Sequence, residues 1–324
     1  MQDNPKIAQK PHKNHKGGSA MAKESNIIES QGIESTLESY LKACKDFEDF
    51  LQHYKPEIDG FHPHFKKAFW EMLENGGKRF RPNLLFAVVE AHNPLLIPNA
   101  FLPSLALECL HTYSLIHDDL PCMDNATLRR AHPTLHTTYG ETTAVLVGDG
   151  LNTFAFYLLS ESKLAAYTKV ALIKELALNG GIGGMIIGQA MDCFFENQKL
   201  DREKLQTIHT NKTAKLIATS LKMGGIIIDA SQSYIDSLER FGLELGLFFQ
   251  IRDDVIDVVL DSAKAGKTTQ NDSAKNSYVN LLGLNEAKEL LATYRQSLLS
   301  QIQGFSPKLA RNLEYVLRDF FEEI

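Results

Sequence analysis

Two acidic clusters are the residues of this sequence best suited to chemistry: Asp118-Asp119-Leu120-Pro121-Cys122-Met123-Asp124 and Asp253-Asp254-Val255-Ile256-Asp257. In the second cluster the carboxylates stand at i, i+1 and i+4. On a helix, i and i+4 share a face one turn apart. Gln250 lies one turn earlier on the same side. Apolar flanks, Phe248, Phe249 and Ile251 before and Val255, Ile256, Val258 and Val259 after, predict a mostly buried helix whose carboxylates line a cavity. The first cluster ends an apolar segment, Leu110 to His117. Pro121 cannot continue a helix freely, so the chain is predicted to turn there and bring Asp124 back toward Asp118. Several carboxylates held together repel, and bound divalent cations relieve that repulsion. One such cluster is weak evidence, because a solvated helix face or carboxylates capping nearby amides give the same pattern. Two clusters in apolar flanks, 135 residues apart, favour function. Their donors are all oxygen, which points to a hard ion, magnesium or manganese, over zinc.

Carboxylates with a hard cation suit a diphosphate ligand, which also needs cationic side chains. The segment Gly76-Gly77-Lys78-Arg79-Phe80-Arg81-Pro82 places three cations around a turn that leads into a helix. Arg129-Arg130 follow the first acidic cluster, Lys212-Thr213 sit in a helical segment, and Lys267 and Lys275 fall in a polar stretch after the second cluster. Arg grips phosphate oxygens through two N–H groups, whereas Lys acts as a point charge. Each alone reads as a surface charge; their adjacency to the acidic clusters argues otherwise.

These residues need elements to hold them, and the chain reads as helical nearly throughout. From Glu34 onward Leu37, Tyr40, Leu41, Cys44, Phe47, Phe50 and Leu51 recur at spacings of three and four. Residues 64–75, 82–92, 101–118, 143–160, 165–179, 202–222, 233–259, 285–301 and 307–322 read the same way. Pro and Gly clusters at Pro94–Pro103, Gly180–Gly184 and Gly304–Pro307 punctuate them. The expectation is one all-α domain of about ten helices over residues 25–324. Residues 1–24 are Lys-, His- and Asn-rich and are expected to be a disordered, dispensable tail ahead of a start methionine at Met21.

The chain's 324 residues suffice for a large core, and 44% apolar with 23% charged residues is ordinary for a globular protein. A net charge of -6 gives no electrostatic case for nucleic acid. No apolar run approaches the roughly 18 residues of a membrane span, so no membrane segment is expected. Cys44, Cys109, Cys122 and Cys193 form no CxxC pair and read as reduced thiols of a cytoplasmic protein.

At this point the sequence resembles the trans-isoprenyl diphosphate synthase family, most closely its bacterial farnesyl-forming subclass. The likeness runs in order over roughly residues 40–290, through GGKRFRP, ECLHTYSLIHDDLPCMD, LRR, GDGL, GQAMD, KTAKLI, FQIRDDVIDV, GKTTQND, KNSY and LLGL. The resemblance implies an isoprenoid synthase-type helical bundle around a deep central cavity, usually as a homodimer. It makes Asp118, Asp124 and Asp257 direct magnesium ligands, with Asp119, Asp253 and Asp254 beside them. About three magnesium ions would clamp an allylic diphosphate, also held by Arg129, Gln189, Lys212 and Lys267. Gly77, Lys78, Arg81, His111 and Arg130 would bind isopentenyl diphosphate. Thr213, Gln250 and the carbonyl of Lys212 would face the developing allylic cation.

The implied reaction ionises the allylic carbon–oxygen bond, joins the cation to the double bond of isopentenyl diphosphate, and loses a proton. Cations stabilise the departing diphosphate, and water must be kept out. The polar stretch Asp261–Tyr278 is the expected closing loop. Tyr113 and Ser114 stand five and four residues before Asp118, one to one and a half turns below the metal site. A ring there would block a growing prenyl tail, which favours a fifteen-carbon product. A twenty-carbon product, a non-catalytic partner subunit and a terpene cyclase are the competing readings. The isopentenyl-binding set argues against a cyclase, and the intact acidic motifs against an inactive subunit. The sequence departs from the family pattern at Asn125-Ala126-Thr127, Ala131, Ala214-Lys215, Gln270 and its acidic C-terminus.

Overall fold

The computed structural model describes residues 37–263 and 276–322. The expected tail, Lys267, Gln270, Lys275 and most of the expected closing loop lie outside the described residues. Contacts group Ser39–Ile324 into one compact unit; of the other, Met1–Glu38, only residues 37 and 38 are described.

The described residues form fourteen α-helices where the apolar periodicity predicts about ten, with α5, α8 and α12 unforeseen: α1 (37–53), α2 (Phe65–Glu74), α3 (Phe80–His92), α4 (Ile97–Asp118), α5 (Leu135–Tyr139), α6 (Glu141–Glu161) and α7 (Ala166–Gly180), then α8 (Met185–Phe194), α9 (Arg202–His209), α10 (Lys215–Ile227), α11 (Gln232–Ala263), α12 (Tyr278–Leu282), α13 (Leu284–Gln303) and α14 (Pro307–Glu322). A single π turn, Thr210–Ala214, joins α9 to α10. The strand content of the described residues is one two-residue ladder, β1 (Leu128–Arg129) against β2 (His132–Pro133), antiparallel with Arg129 opposite His132.

Burial explains the layering. Helices α4 and α10 are apolar nearly all round, and such helices end up inside. Helix α4 packs against α6 and α3, and α10 against α11, α3 and α7. Leu105, Leu107, Leu216 and Leu221 are fully buried; truncating any of them to Ala costs about 2–5 kcal/mol. Helix α14 carries only a stripe, Leu309, Leu313, Leu317 and Phe321, and lays it against α3 and α13.

Three sequence expectations change. Helix α4 begins before the Pro cluster ends and carries Pro103 inside it. That proline forfeits one backbone bond, and burial of Ala100, Leu105 and Ala106 around it outweighs the local cost. Residues 202–222 are not one helix, because the π turn interrupts them. Length and composition do qualify two helical stretches for a membrane span, Glu141–Glu161 and Ala166–Phe194, with 44% and 33% of their windows buried. The second is broken by the turn at residues 181–184.

Candidate active site

The first acidic cluster sits where α4 runs out. Pro121 lies in the turn that follows, and the amide of Asp124 donates to the carbonyl of Asp118 at 2.9 Å. Asn125 N donates to Leu120 O at 3.0 Å and Ala126 N to Asp119 O at 3.2 Å, so the predicted fold-back is present. Asn125 adopts φ +50°, a left-handed conformation that Asn tolerates better than most residues. Asp119 is only 1% exposed and takes a forked contact from Arg129, with Nε 2.8 and 2.9 Å from its two oxygens and Nη2 2.7 Å from one. Asp118 points elsewhere. Burial pushes its carboxyl up to about 6; Lys212 and Arg129 oppose that shift, while Asp124 and Asp119 add to it.

The turn before α3 and the arginine pair after the first cluster form a cationic cradle. Arg79 proves structural: it is buried, adopts φ +46°, and donates to Glu48 at 2.9 Å, Glu108 at 3.3 Å and the Leu73 carbonyl at 2.6 Å. Arg130 reaches across and donates to Gly76 O at 2.6 Å. Gly77, at φ +126°, makes this approach feasible, since a Cβ there would stand 2.7 Å from Arg130 Nη1. Arg81 is held down to about 10 by burial, with Glu108 opposing and Arg130 reinforcing the shift. Its Nε is buried without a partner. Burial first, then Arg81, Arg130 and Arg129, hold His111 well below the usual imidazole range, so it is neutral. Cations crowded together with an orphaned N–H are complementary to an anion.

The π turn supplies the third wall. A π turn adds a residue to the helical ladder and is frequent at functional sites. Lys212 Nζ donates to Asp192 Oδ2 at 2.6 Å. Burial would lower its pKa, but Asp192, Asp118 and Asp124 outweigh that and raise it. Thr213 Oγ1 donates to Gln250 Oε1 at 3.2 Å, and Gln250 Nε2 donates to Asp254 Oδ1 at 3.0 Å. The amide of Tyr278 donates to the other oxygen of Asp254 at 2.7 Å. Helix α8 can press on the turn because Gly188 has no side chain: a Cβ there would stand 2.2 Å from the amide nitrogen of Lys212. Gln189, on the same helix, donates to Cys193 Sγ at 3.5 Å.

The second acidic cluster is less enclosed than its flanks predicted. Phe248, Phe249, Ile251 and Val255 are buried, but Asp257, Val258 and Val259 are exposed. The Asp253 side chain is 61% exposed, yet crowding by protein atoms pushes its carboxyl up to about 6, with Arg252 opposing and Asp257 reinforcing. Burial raises Asp254 further, to about 7, against its bonds from Tyr278 and Gln250. Among the described residues no three His, Cys, Asp or Glu converge into a ready-made metal cage. Open sets of carboxylates with raised pKa values fit magnesium, which keeps waters and is completed by substrate phosphates.

Tyr113 is buried and stacks edge-on to His117 with centroids 5.7 Å apart. Ser114 Oγ donates to the His111 carbonyl at 2.8 Å, within its own helix. Lys215, which the sequence suggested as an added cation near the site, donates instead to the Gly183 carbonyl. A separate polar pocket of 460 Å³, lined by Arg202, Gln206, Thr210 and Lys215 among others, contains none of the predicted site residues. Two site residues escaped the sequence reading, Asp192 and Glu108. Asp192 ends the GQAMD segment and Glu108 opens the segment that carries His111; their pairing with Lys212 and Arg79, on other elements, has no signature in chain spacing.

Comparison with known proteins identifies the family. The family model described as polyprenyl synthetase matches residues 62–307. The chain is 39% identical to the farnesyl diphosphate synthase of Bacillus subtilis over 280 residues, 85% of this chain and 93% of the relative. It is 40% identical over 257 residues to the chloroplastic geranylgeranyl pyrophosphate synthase of Capsicum annuum, 78% of this chain and 69% of the relative. The crystal structure of the geranyltransferase from Helicobacter pylori complexed with magnesium and isoprenyl diphosphate superposes with a TM-score of 0.83 at 49% identity, covering 89% of this chain and 98% of that one. The chain belongs to the polyprenyl synthetase family and is a prenyltransferase.

Proposed function

We propose that the chain condenses isopentenyl diphosphate with dimethylallyl and then geranyl diphosphate, releasing diphosphate and forming farnesyl diphosphate. The observation that supports this reading is two groups of cationic side chains beside the acidic clusters, each suited to an anion. One is the cradle of Arg81, His111 and Arg130 beside Gly77 and Lys78. The other is Lys212, set in the field of Asp118 and Asp124 and ion-paired to Asp192. Two such groups suit two diphosphate substrates.

In this reading Asp118, Asp119, Asp124, Asp253, Asp254 and Asp257 hold about three magnesium ions, with manganese as the alternative. The metal, when bound, stabilises negative charge on the leaving diphosphate. Lys212, Arg129 and Gln189 hold that diphosphate, joined by Lys267. Thr213 and Gln250, already hydrogen-bonded to each other, face the allylic cation with the Lys212 carbonyl. Tyr113 forms the floor that stops the tail at fifteen carbons. The chain acts as a cytoplasmic homodimer. Support for the dimer comes from apolar rows left uncovered on α6 and α7: Leu146 and Tyr157 on one, Tyr167, Val170 and Leu178 on the other.

Incubation with magnesium, isopentenyl diphosphate and dimethylallyl diphosphate, followed by separation of products by length, tests the reading. A fifteen-carbon diphosphate lost on addition of EDTA is expected. Absence of any condensation in folded protein, also with geranyl diphosphate, would sink it. The second reading is a twenty-carbon product, favoured by the similarity to the Capsicum annuum enzyme. Tyr113→Ala separates the two: it lengthens the product only where Tyr113 is the floor.

A further inference from the structure

The C-terminal helix has no role in the reading above, yet its last turn touches the isopentenyl diphosphate cradle. Phe320 lies under two cations at once. Lys78 Nζ stands 4.5 Å from the ring centroid, and Arg252 Cζ stands 5.2 Å from it. Arg252 Nε also donates to the Phe320 carbonyl at 3.2 Å, and Arg252 Nη1 reaches Asp253 at 3.4 Å. The ring itself is fixed. It packs on Phe80, inside the cradle turn, with centroids 5.1 Å apart, and on Phe249, beside Gln250, at 4.5 Å. Phe80 and Phe249 close the triangle at 4.4 Å. The neighbouring Phe321 is buried against Phe248 at 5.2 Å and so anchors the helix end independently.

Lys78 is exposed, and its ammonium stands over the face of the Phe320 ring. A free lysine side chain samples many rotamers, and ordering it costs entropy on binding. A ring face attracts a cation through its quadrupole. We propose that Phe320 is a positioning residue for isopentenyl diphosphate: its ring pre-orders the Lys78 ammonium over the cradle. The assignment rests on the proposed function. It confines the effect to one substrate, because Lys78 belongs to the cradle and not to the Lys212 site.

The test measures binding of isopentenyl diphosphate by calorimetry, and KM for each substrate, in the full chain. Phe320→Leu keeps an apolar side chain and the Phe321 anchor. It is expected to weaken isopentenyl diphosphate binding about two- to fivefold, the range an exposed cation–ring contact supplies. The KM for the allylic substrate stays put. Phe320→Trp, a better cation partner, restores or tightens binding. In the Lys78→Met background, Phe320→Leu adds nothing. A loss equal for both substrates, no loss, or full additivity with Lys78→Met overturns the assignment. If the unmodified chain forms no prenyl product, the site reading falls and this assignment with it. If it does condense while Phe320→Leu binds normally, the role of Phe320 falls alone.

Discussion

Both acidic clusters set an Asp-Asp pair ahead of a third Asp, at i+6 in the first and i+4 in the second, and they differ in what holds them. The first is built from loop. It leaves α4 at Asp118, folds back through amide bonds to Asp118, Asp119 and Leu120, and ends in Arg130 and Ala131 at φ +52° and +63°. Within it Asp119 is locked by Arg129 while Asp118 stays poised. The second stands on an uninterrupted helix, α11, whose own geometry sets the spacing of Asp253, Asp254 and Asp257. Its support comes from outside, through Gln250 and the Tyr278 amide. A pattern set by helix geometry tolerates its surroundings. A pattern set by a loop depends on every bond in that loop.

The sharpest way to break the comparison lies within the loop. Asp118→Asn is expected to lower kcat by about 10²–10³-fold, the loss that follows removal of one transition-state stabiliser. Thermal stability should hold or rise, because the folded state already disfavours charge on Asp118. Asp119→Ala should do the reverse first, costing about 2 kcal/mol in denaturant titrations. That is less than a fully buried pair would lose, since Arg129 keeps 27% of its side-chain surface. Equal stability for both variants would remove the distinction between locked and poised carboxylates.

Acid should weaken the second region selectively. His209 is 4% exposed, stacks on Tyr278 with centroids 5.4 Å apart, and has both ring nitrogens buried without partners. Burial first, and Lys212 after it, depress its pKa from 6.5 to about 4. A depressed pKa means the fold favours the neutral ring. That contribution is complete above about pH 6.5 and is lost as pH falls toward about 4, up to roughly 3 kcal/mol in all. His209→Phe removes the titration and should flatten the acid limb of a stability–pH curve. An unchanged limb would place the acid sensitivity elsewhere.

Asp192→Asn tests the bridge between the regions, since Asp192 holds the lysine that senses Asp118. A charge-assisted bond of about 1.5 kcal/mol predicts a tenfold fall in kcat/KM for the allylic substrate. The KM for isopentenyl diphosphate should change little. The smallest effect belongs to Ala131→Gly. At φ +63° a Cβ is strained, so glycine should stabilise the loop by up to about 1 kcal/mol, read as a shift in denaturation midpoint. No gain would mean that the loop already relaxes around Ala131.

Much of this was legible in the chain. The helices followed from apolar spacing, and Pro121 announced the fold-back. The family motifs named Gly77, Arg81, His111 and Arg130, which the fold brings together. What stayed hidden was contact at a distance. Arg79, Arg81 and Lys78 look alike in sequence, yet Arg79 is spent on Glu48 and Glu108. Helix α8 was missed behind the Gly180–Gly184 breaker. There Gly188 serves as the bare surface on which the Lys212 turn rests. Lys215 departs from the family pattern in sequence and is a backbone clamp in the fold. Each case depends on which neighbour arrives from another part of the chain, and periodicity carries no record of that.

The π turn at Thr210–Ala214 has one further consequence. A residue advances an α-helix by about 100°, so one surplus residue sets α9 and α10 out of phase by roughly that angle. Upstream the turn carries a helix buried at Leu205 and Ile208, and downstream one buried nearly all round. The turn thus acts as a clutch between two gears. Lys212 and Thr213 ride on the tooth that meshes with neither. Shortening the segment by a single residue would leave the composition almost untouched, yet rotate by roughly that angle the residues that α10 presents to α11, α3 and α7.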